Sequence, residues 1–431
     1  MAGIFNPEVK TLSNGLQIVV VRNDLAPIVS VGVLYKVGTA DDPEHMVGIS
    51  HFLEHLMFKG TVSVPGNEFK RTLLTHGGQI NAMTGSDYTI YQDEIAVDHL
   101  DLVLKLEADR MVNLSFTEAE VQSERDVVVE ERLMRLDNHP LGTIYESLLR
   151  AIYWYHPYGT PPIGYPHHIQ NYTSAAVRQH YETWYAPNNA ILIISGKVSL
   201  GDILPLVEKH FGLLKSHPLP ERRRPMEPDH KGITMHIQQY NKRNSLVLAS
   251  WYYQAPNHRD EKLKHLYYPL TVLGQLLGGD KTSPFYKTLV EDKKLALSVS
   301  SAYSGDELDP QPFSLSAELS PQMDMAVFKQ ALSDFLKNIL TNGFSQKELD
   351  DAKRCLFAQI AFIRDGNENA VSVFSKLGTG FTVDEIENWK ESIQAVTVEQ
   401  VFEAAKTILG APPIVTVEVH PEHHLEQKSG N

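Results

Sequence analysis

Apolar residues recur along this chain in two rhythms. Short runs rich in β-branched and aromatic residues come in pairs: Gln17–Val21 then Val29–Val37, and Gly78–Met83 then Tyr88–Ile95. Runs of this length and composition predict strands. Consecutive strands with no helix between them predict hairpins, here within each of the two pairs. Longer stretches with helical spacing cover Asp98–Val112 and Met323–Leu340. The regular strand–helix alternation of a parallel doubly wound sheet is missing. The pattern therefore predicts an α+β chain whose sheets are antiparallel, with helices packed on one face.

The pattern also repeats. Phe69-Lys70-Arg71-Thr72-Leu73 recurs as Phe285-Tyr286-Lys287-Thr288-Leu289, an offset of 216 positions (69 to 285). Each copy is followed by a strand-like stretch, Gly78–Met83 and Leu295–Ser301, then another strand and a long helix. Between the copies, His217–Gly232 holds four prolines and Arg222-Arg223-Arg224 with no helical or strand period. That composition predicts an exposed linker. The expected organisation is 1–216, a linker at 217–232, and 233–431, with the two long segments as homologous halves.

One helix carries unusual chemistry. Ile49–Thr61 reads Ile-Ser-His-Phe-Leu-Glu-His-Leu-Met-Phe-Lys-Gly-Thr and is apolar nearly all round, as a buried helix is. Within it His51, Glu54 and His55 fall into one narrow arc at roughly 100° per residue. An unpaired charge buried there costs several kcal/mol, so the group requires a partner. Zinc bound by His51 and His55, with Glu54 beside it as general base, supplies one. A catalytic zinc takes a third protein ligand and keeps one position open. Thr117 with Glu120 fits a capping box, which starts a helix over the acidic stretch that follows. Glu124 and Glu131, seven apart, return to nearly the same face of it, with Val127 and Val128 between them. Glu130 points about 100° away. The third ligand is therefore expected at Glu131. At the 216 offset the triad maps near Tyr267, Leu270 and Thr271, so one zinc per chain is expected.

Composition narrows the partners. With 39 basic and 53 acidic residues the net charge is −14, which argues against nucleic acid and anionic membranes. Acidity facing an inner chamber favours basic peptides; solubility alone is the simpler reading. The single cysteine, Cys355, excludes an intrachain disulfide. No apolar run approaches the roughly 20 residues that span a bilayer. Met1–Pro7 has no signal-peptide pattern. The chain reads as soluble, cytoplasmic or periplasmic. His420, His423 and His424 sit in a polar tail and are expected to be a surface cluster.

His-x-x-Glu-His is the inverted zincin motif. With Glu131 downstream and Glu124 before it, the chain resembles the pitrilysin (insulinase) family of metallopeptidases, and within it the short-chain branch that includes the mitochondrial processing peptidase. Lys10–Val21, Tyr158-Gly159 through Gly164, Tyr185-Ala186-Pro187-Asn188-Asn189 and Ile194-Ser195-Gly196 look like further landmarks of that family. The resemblance implies two α+β halves closing like a clam shell around a chamber. It implies zinc at His51, His55 and Glu131, Glu54 activating water, and Glu124 as a supporting carboxylate. It also implies that Asn81 and Ala82, with Met83 as a pocket residue, lie on an edge strand that pairs with an extended peptide. In single-chain relatives the second half supplies an Arg and a Tyr that help hold substrate. Here those places fall at Pro312 and Leu319, and no arginine occurs between Arg259 and Arg354. This implies the catalytic subunit of a heterodimer whose homologous non-catalytic companion supplies the pair, with a homodimer as alternative. Two functions remain open at this point: a zinc endopeptidase acting on peptides or unfolded segments, and a non-catalytic structural subunit of the same fold.

Overall fold

The computed structural model describes residues 3–139, 141–230, 232–241, 246–364 and 366–422. The chain folds into two compact units. The first comprises Met1–Arg135, His156–Pro225 and Ala361–Asn388; the second comprises Leu136–Tyr155, Met226–Ile360 and Trp389–Asn431.

The first unit is built on a six-stranded sheet. Its strands are β1 (Glu8–Thr11), β2 (Gln17–Arg22), β3 (Ile28–Tyr35), β4 (Gln79–Thr84), β5 (Thr89–Ala96) and β6 (Ala190–Gly196), in the order β1-β2-β6-β3-β5-β4. The expected β4–β5 hairpin forms, closed by Gly85 N donating to Tyr88 O at 2.9 Å. The expected pairing of Gln17–Val21 with Val29–Val37 does not. β6 lies between them, parallel to β2 and antiparallel to β3. The reason is burial: all seven residues of β6 are buried, so it requires a neighbour on each side. β2 and β3 are apolar on both faces as well, and such strands carry no alternation that names their partners. β4 alternates between exposed and half-buried residues, as suits the sheet edge it occupies.

The helices that follow the early strands gather on one face of this sheet, directly or on one another. They are α1 (Ile49–Leu56), α2 (Glu68–Thr75), α3 (Leu100–Asn113) and α4 (Glu118–Arg132). The opposite face receives the helix Asn367–Phe374, from far along the chain, which packs on the central strands through buried Val371 and Phe374. Gly32 in β3 makes room for it: a Cβ there would overlap Val371 Cγ1 and lie 3.3 Å from Ile90 Cδ1.

The second unit repeats the plan. Its strands are β7 (Met235–Asn241), β8 (Val247–Tyr253), β9 (Ser298–Tyr303), β10 (Phe313–Leu319) and β11 (Val415–Pro421), in the order β7-β11-β8-β10-β9. β11 lies between β7 and β8 as β6 does between β2 and β3, again parallel to one and antiparallel to the other. Phe285 and Leu289 are buried, like Phe69 and Leu73. The helix Tyr267–Gly278 stands where the 216 offset places the histidine helix, with Tyr267 and Leu270 in the core.

Among its described residues the segment His217–Gly232 forms no helix or strand, but it is not a bare linker. Arg224 lies 3.0 Å from Asp41 Oδ1 and 2.5 Å from Asp87 Oδ1, and Arg222 lies 3.1 Å from Asp41 Oδ1. Two of its three arginines thus answer carboxylates that are almost fully buried. No helix among the described residues is long and apolar enough to cross a membrane.

Gly32→Ala is expected to destabilise the chain by about 1–3 kcal/mol, because a stiff Val371 must move. Gly32→Ala with Val371→Ala should lose less than the sum of the single variants. Chemical denaturation of the four proteins checks this as a double-mutant cycle.

Candidate metal centre

α1 begins at Gly48, whose φ of 95° favours glycine and whose Cβ would sit 2.5 Å from Gly164 Cα. Its free N–H groups are answered by Asp42. That carboxylate accepts from Gly48 N at 2.7 Å, Ser50 N at 3.1 Å and Ser50 Oγ at 2.6 Å. His180 Nε2 lies 2.9 Å from the same Ser50 hydroxyl. Ile49, Phe52, Leu53 and Leu56 are fully buried and fix the helix's rotation. His51 and His55 emerge together on its remaining face, ring centroids 4.8 Å apart.

α4 begins as its sequence predicts. Thr117 Oγ1 accepts from Glu120 N at 3.2 Å, and Glu120 Oε2 accepts from Thr117 N at 2.7 Å. Val121, Glu124 and Val128 form the buried stripe. Val127, expected on that stripe, is 47% exposed. Positions 127 and 128 are about 100° apart, so both cannot share a narrow face. Glu131 points to the histidines while Glu130 is exposed.

The ligand-type atoms of His51, His55 and Glu131 lie within 4.8 Å of one another. Glu131 Oε2 stands 3.1 Å from His55 Nε2 and 3.6 Å from His51 Nε2. Among the described residues that oxygen is buried without a hydrogen-bond partner, as is His51 Nδ1. Two imidazoles and a carboxylate converging on one point, with an orphaned buried oxygen among them, fit a zinc site with an open position. Glu124 Oε1 holds His55 Nδ1 at 2.9 Å, which orients the ring as a supporting carboxylate does.

The electrostatics divide the two histidines. Burial, helped by the neighbouring His55, lowers His51 to about 4, so it is neutral, the form a ligand needs. Burial also pushes His55 down, but its hydrogen bond to Glu124 and the carboxylate charge of Glu131 beside it outweigh this and raise it to about 9. A cation at this point competes for the nitrogen that carries that proton. Burial raises Glu54 above the ordinary carboxylate range, against the opposing hydrogen bond from Thr84. A raised carboxyl is better matched to taking up a proton near neutral pH.

A cavity of about 480 Å³ opens on this cluster. Asn81, Ala82 and Met83 line it from β4, with Met83 50% exposed. Further lining residues escaped sequence reasoning, among them Lys59, Lys70, Thr84 and Arg135. Lys59 Nζ pairs with Glu124 Oε2, and Thr84 Oγ1 donates to Glu54 Oε2. Arg135 Nη2 holds the second oxygen of Glu131, Oε1, at 3.0 Å. Lys59 and Arg135 each stand four residues after a candidate ligand, one helical turn, which was a usable signal. Thr84 gave none, since only the packing of α1 against β4 brings it to Glu54. In the second unit, Leu319 at the end of β10 is 1% exposed and part of the core. His423 and His424 lie outside the described residues; His420 pairs with Glu418 at 3.2 Å.

Comparison with known proteins follows the same two segments. A family model described as Insulinase (Peptidase family M16) matches residues 17–164, and one described as Peptidase M16 inactive domain matches 171–356. The chain is 32% identical over 351 residues to the zinc protease PqqE of Helicobacter pylori, covering 80% of this chain and 77% of that one. It is 27% identical to the uncharacterized zinc protease YmxG of Bacillus subtilis, covering 92% of this chain and 94% of that one. The crystal structure of a protease from Helicobacter pylori is similar with a TM-score of 0.87 at 29% identity, covering 98% of this chain and 100% of that chain.

Glu131→Gln should lower zinc occupancy well below one per chain, whereas Glu130→Gln should leave it unchanged. Metal analysis of the dialysed proteins decides between the two; loss in Glu130→Gln with retention in Glu131→Gln reverses the assignment.

Proposed function

Because the chain belongs to the insulinase (M16) family of peptidases, we propose that it is a zinc-dependent endopeptidase that hydrolyses extended peptides or unfolded segments. The observation that carries this reading is Glu131 Oε2 facing the Nε2 atoms of both His51 and His55. These three residues would hold zinc, which when bound supplies Lewis-acid polarisation of a carbonyl and activation of a water.

The chain's own residues would do the rest. Glu54 takes a proton from the attacking water as its oxygen bonds to the peptide carbonyl carbon. It returns that proton to the leaving nitrogen as the C–N bond breaks. Thr84 holds one oxygen of Glu54, so the other is left to face the substrate side. Glu124 keeps the His55 ring oriented, and Arg135 keeps Glu131 turned so that Oε2 points inward. β4 has no strand on its outer edge among the described residues. An extended peptide adds there by main-chain pairing beside Asn81, Ala82 and Met83. The catalytic part is assigned to 1–216, with 217–232 as connection and 233–431 as the half without metal ligands. Ala361–Asn388 nevertheless belongs to the first compact unit.

We place the chain in the branch resembling the mitochondrial processing peptidase, as a catalytic subunit. The support is the lack of Arg and Tyr at Pro312 and Leu319. A homologous companion without the histidine motif would supply that pair in a heterodimer.

Glu54→Gln should keep about one zinc per chain and lose turnover by several orders of magnitude, since a base is not a ligand. Parallel metal analysis and a fluorogenic peptide assay test this; loss of zinc in the variant, or retained turnover, contradicts the role. The isolated chain should be a weak peptidase. Adding the companion should raise the rate roughly tenfold, the equivalent of about 1.4 kcal/mol. Full activity as a monomer or homodimer of measured mass, unchanged by any companion, favours the self-sufficient form.

A further inference from the structure

The cavity beside the histidines is bounded by cations as well as by candidate ligands. Lys59, Lys70 and Arg135 all line it. Two of them are engaged, Lys59 with Glu124 and Arg135 with Glu131. Arg135 is still 72% exposed at its side chain and uses one of its five N–H donors on that pair. Lys70 is exposed, and among the described residues it joins no ion pair or hydrogen bond.

Lys70 is nonetheless firmly placed. Its neighbours Phe69 and Leu73 anchor α2 in the core at 2% and 0% exposure. Gly78 N donates to Leu73 O at 2.9 Å, tying the end of α2 to the start of β4. The lysine therefore stands at a set position relative to the strand on which the peptide is proposed to add. Along that strand Ile80, Ala82 and Thr84 share a face, and Thr84 on that face reaches Glu54. Alternate side chains of an added peptide project to the same side.

The local charge also runs against the charge of the whole chain. Three acids line the cavity, Glu54, Glu124 and Glu131, and with both histidines neutral, as metal ligands are, the three cations balance them. A divalent metal leaves the cavity net positive, within a protein of net charge −14. Low-dielectric walls focus such a local field, so the cavity and not the distant surface sets the preference of a bound peptide.

We propose that this cavity selects a carboxylate on the substrate close to the scissile bond, with Lys70 as the selecting cation and Arg135 as a second donor. The proposal rests on the peptidase reading above. It reverses the preference for basic peptides that net charge alone suggests. The carboxylate comes either from an Asp or Glu side chain or from a nearby chain terminus.

The test separates binding from turnover. Zinc-loaded Glu54→Gln protein is titrated with labelled extended peptides that differ only by Gln, Glu or Lys at one position. That position is scanned across the cleavage site, and each peptide is made with a C-terminal acid and a C-terminal amide. At one position the Glu peptide should bind about three to five times more tightly than its Gln isostere, the scale of a partly exposed ion pair. The ratio should shrink at high salt. It should fall to about one in Glu54→Gln/Lys70→Gln, drop below one with Lys70→Glu, and be restored by Lys70→Arg. A preference for acid over amide termini that is likewise lost in Lys70→Gln assigns the carboxylate to the chain terminus. Equal binding of all peptides, tighter binding of the Lys peptide, or a preference that survives Lys70→Gln overturns the proposal. A failed peptidase reading shows separately, as absence of turnover by the unsubstituted zinc-loaded chain, and leaves this binding comparison intact.

Discussion

Everything at the candidate centre depends on how two helices bury their apolar faces. α1 turns Ile49, Phe52, Leu53 and Leu56 into the core, and α4 turns Val121 and Val128 inward. That packing sets the rotation of each helix. One residue of slippage on either would swing its polar groups by about 100°. With both rotations fixed, the carboxylate oxygen of Glu131 meets the two imidazole nitrogens. The polar residues do not organise this part of the fold. They are carried to one place by the apolar ones, and buried polar groups brought so close require a partner.

Around that meeting point each polar group has a holder. Glu124 orients His55, Lys59 answers Glu124, Arg135 takes the outer oxygen of Glu131, and Thr84 takes one oxygen of Glu54. A layer behind the cavity is held in a similar way. Arg110, fully buried, pairs with Glu107 and lies over the rings of Tyr91 at 4.3 Å and Phe69 at 4.5 Å. Its guanidinium also stands 5.5 Å from the ring of Phe58, which lines the cavity. Breaking such a pair by removing one partner is costly, because the other charge stays buried. The wall of the cavity is thus as firmly set as its ligands.

The two sheets show how a frame and its chemistry separate. Each inserts a late strand between two early ones, β6 in the first unit and β11 in the second, and each ends in a hairpin with an exposed edge strand. The helix Tyr267–Gly278 keeps an apolar face comparable to that of α1 and carries no ligands. A buried helix needs only its apolar stripe to pack. The polar residues on the other face are therefore free to differ between halves without disturbing the sheet beneath.

The local features were legible in the sequence because their physics is local. The arc of His51, Glu54 and His55, the Thr117 cap, the return of Glu131 after two turns and the β4–β5 hairpin all follow from spacing within one element or one turn. The repeat of Phe69 and Leu73 as Phe285 and Leu289 was readable for the same reason. Three things were decided only by the tertiary structure. β6 separates β2 from β3, because strands apolar on both faces do not name their partners. Asn367–Phe374 covers the second face of the first sheet, since nothing near Gly32 in the sequence announces a helix more than three hundred residues away. Thr84 on Glu54, and Arg222 and Arg224 on Asp41, join residues whose types are common on any surface. Spacing fixes which side chains share a helix face, but long-range packing alone fixes which faces meet.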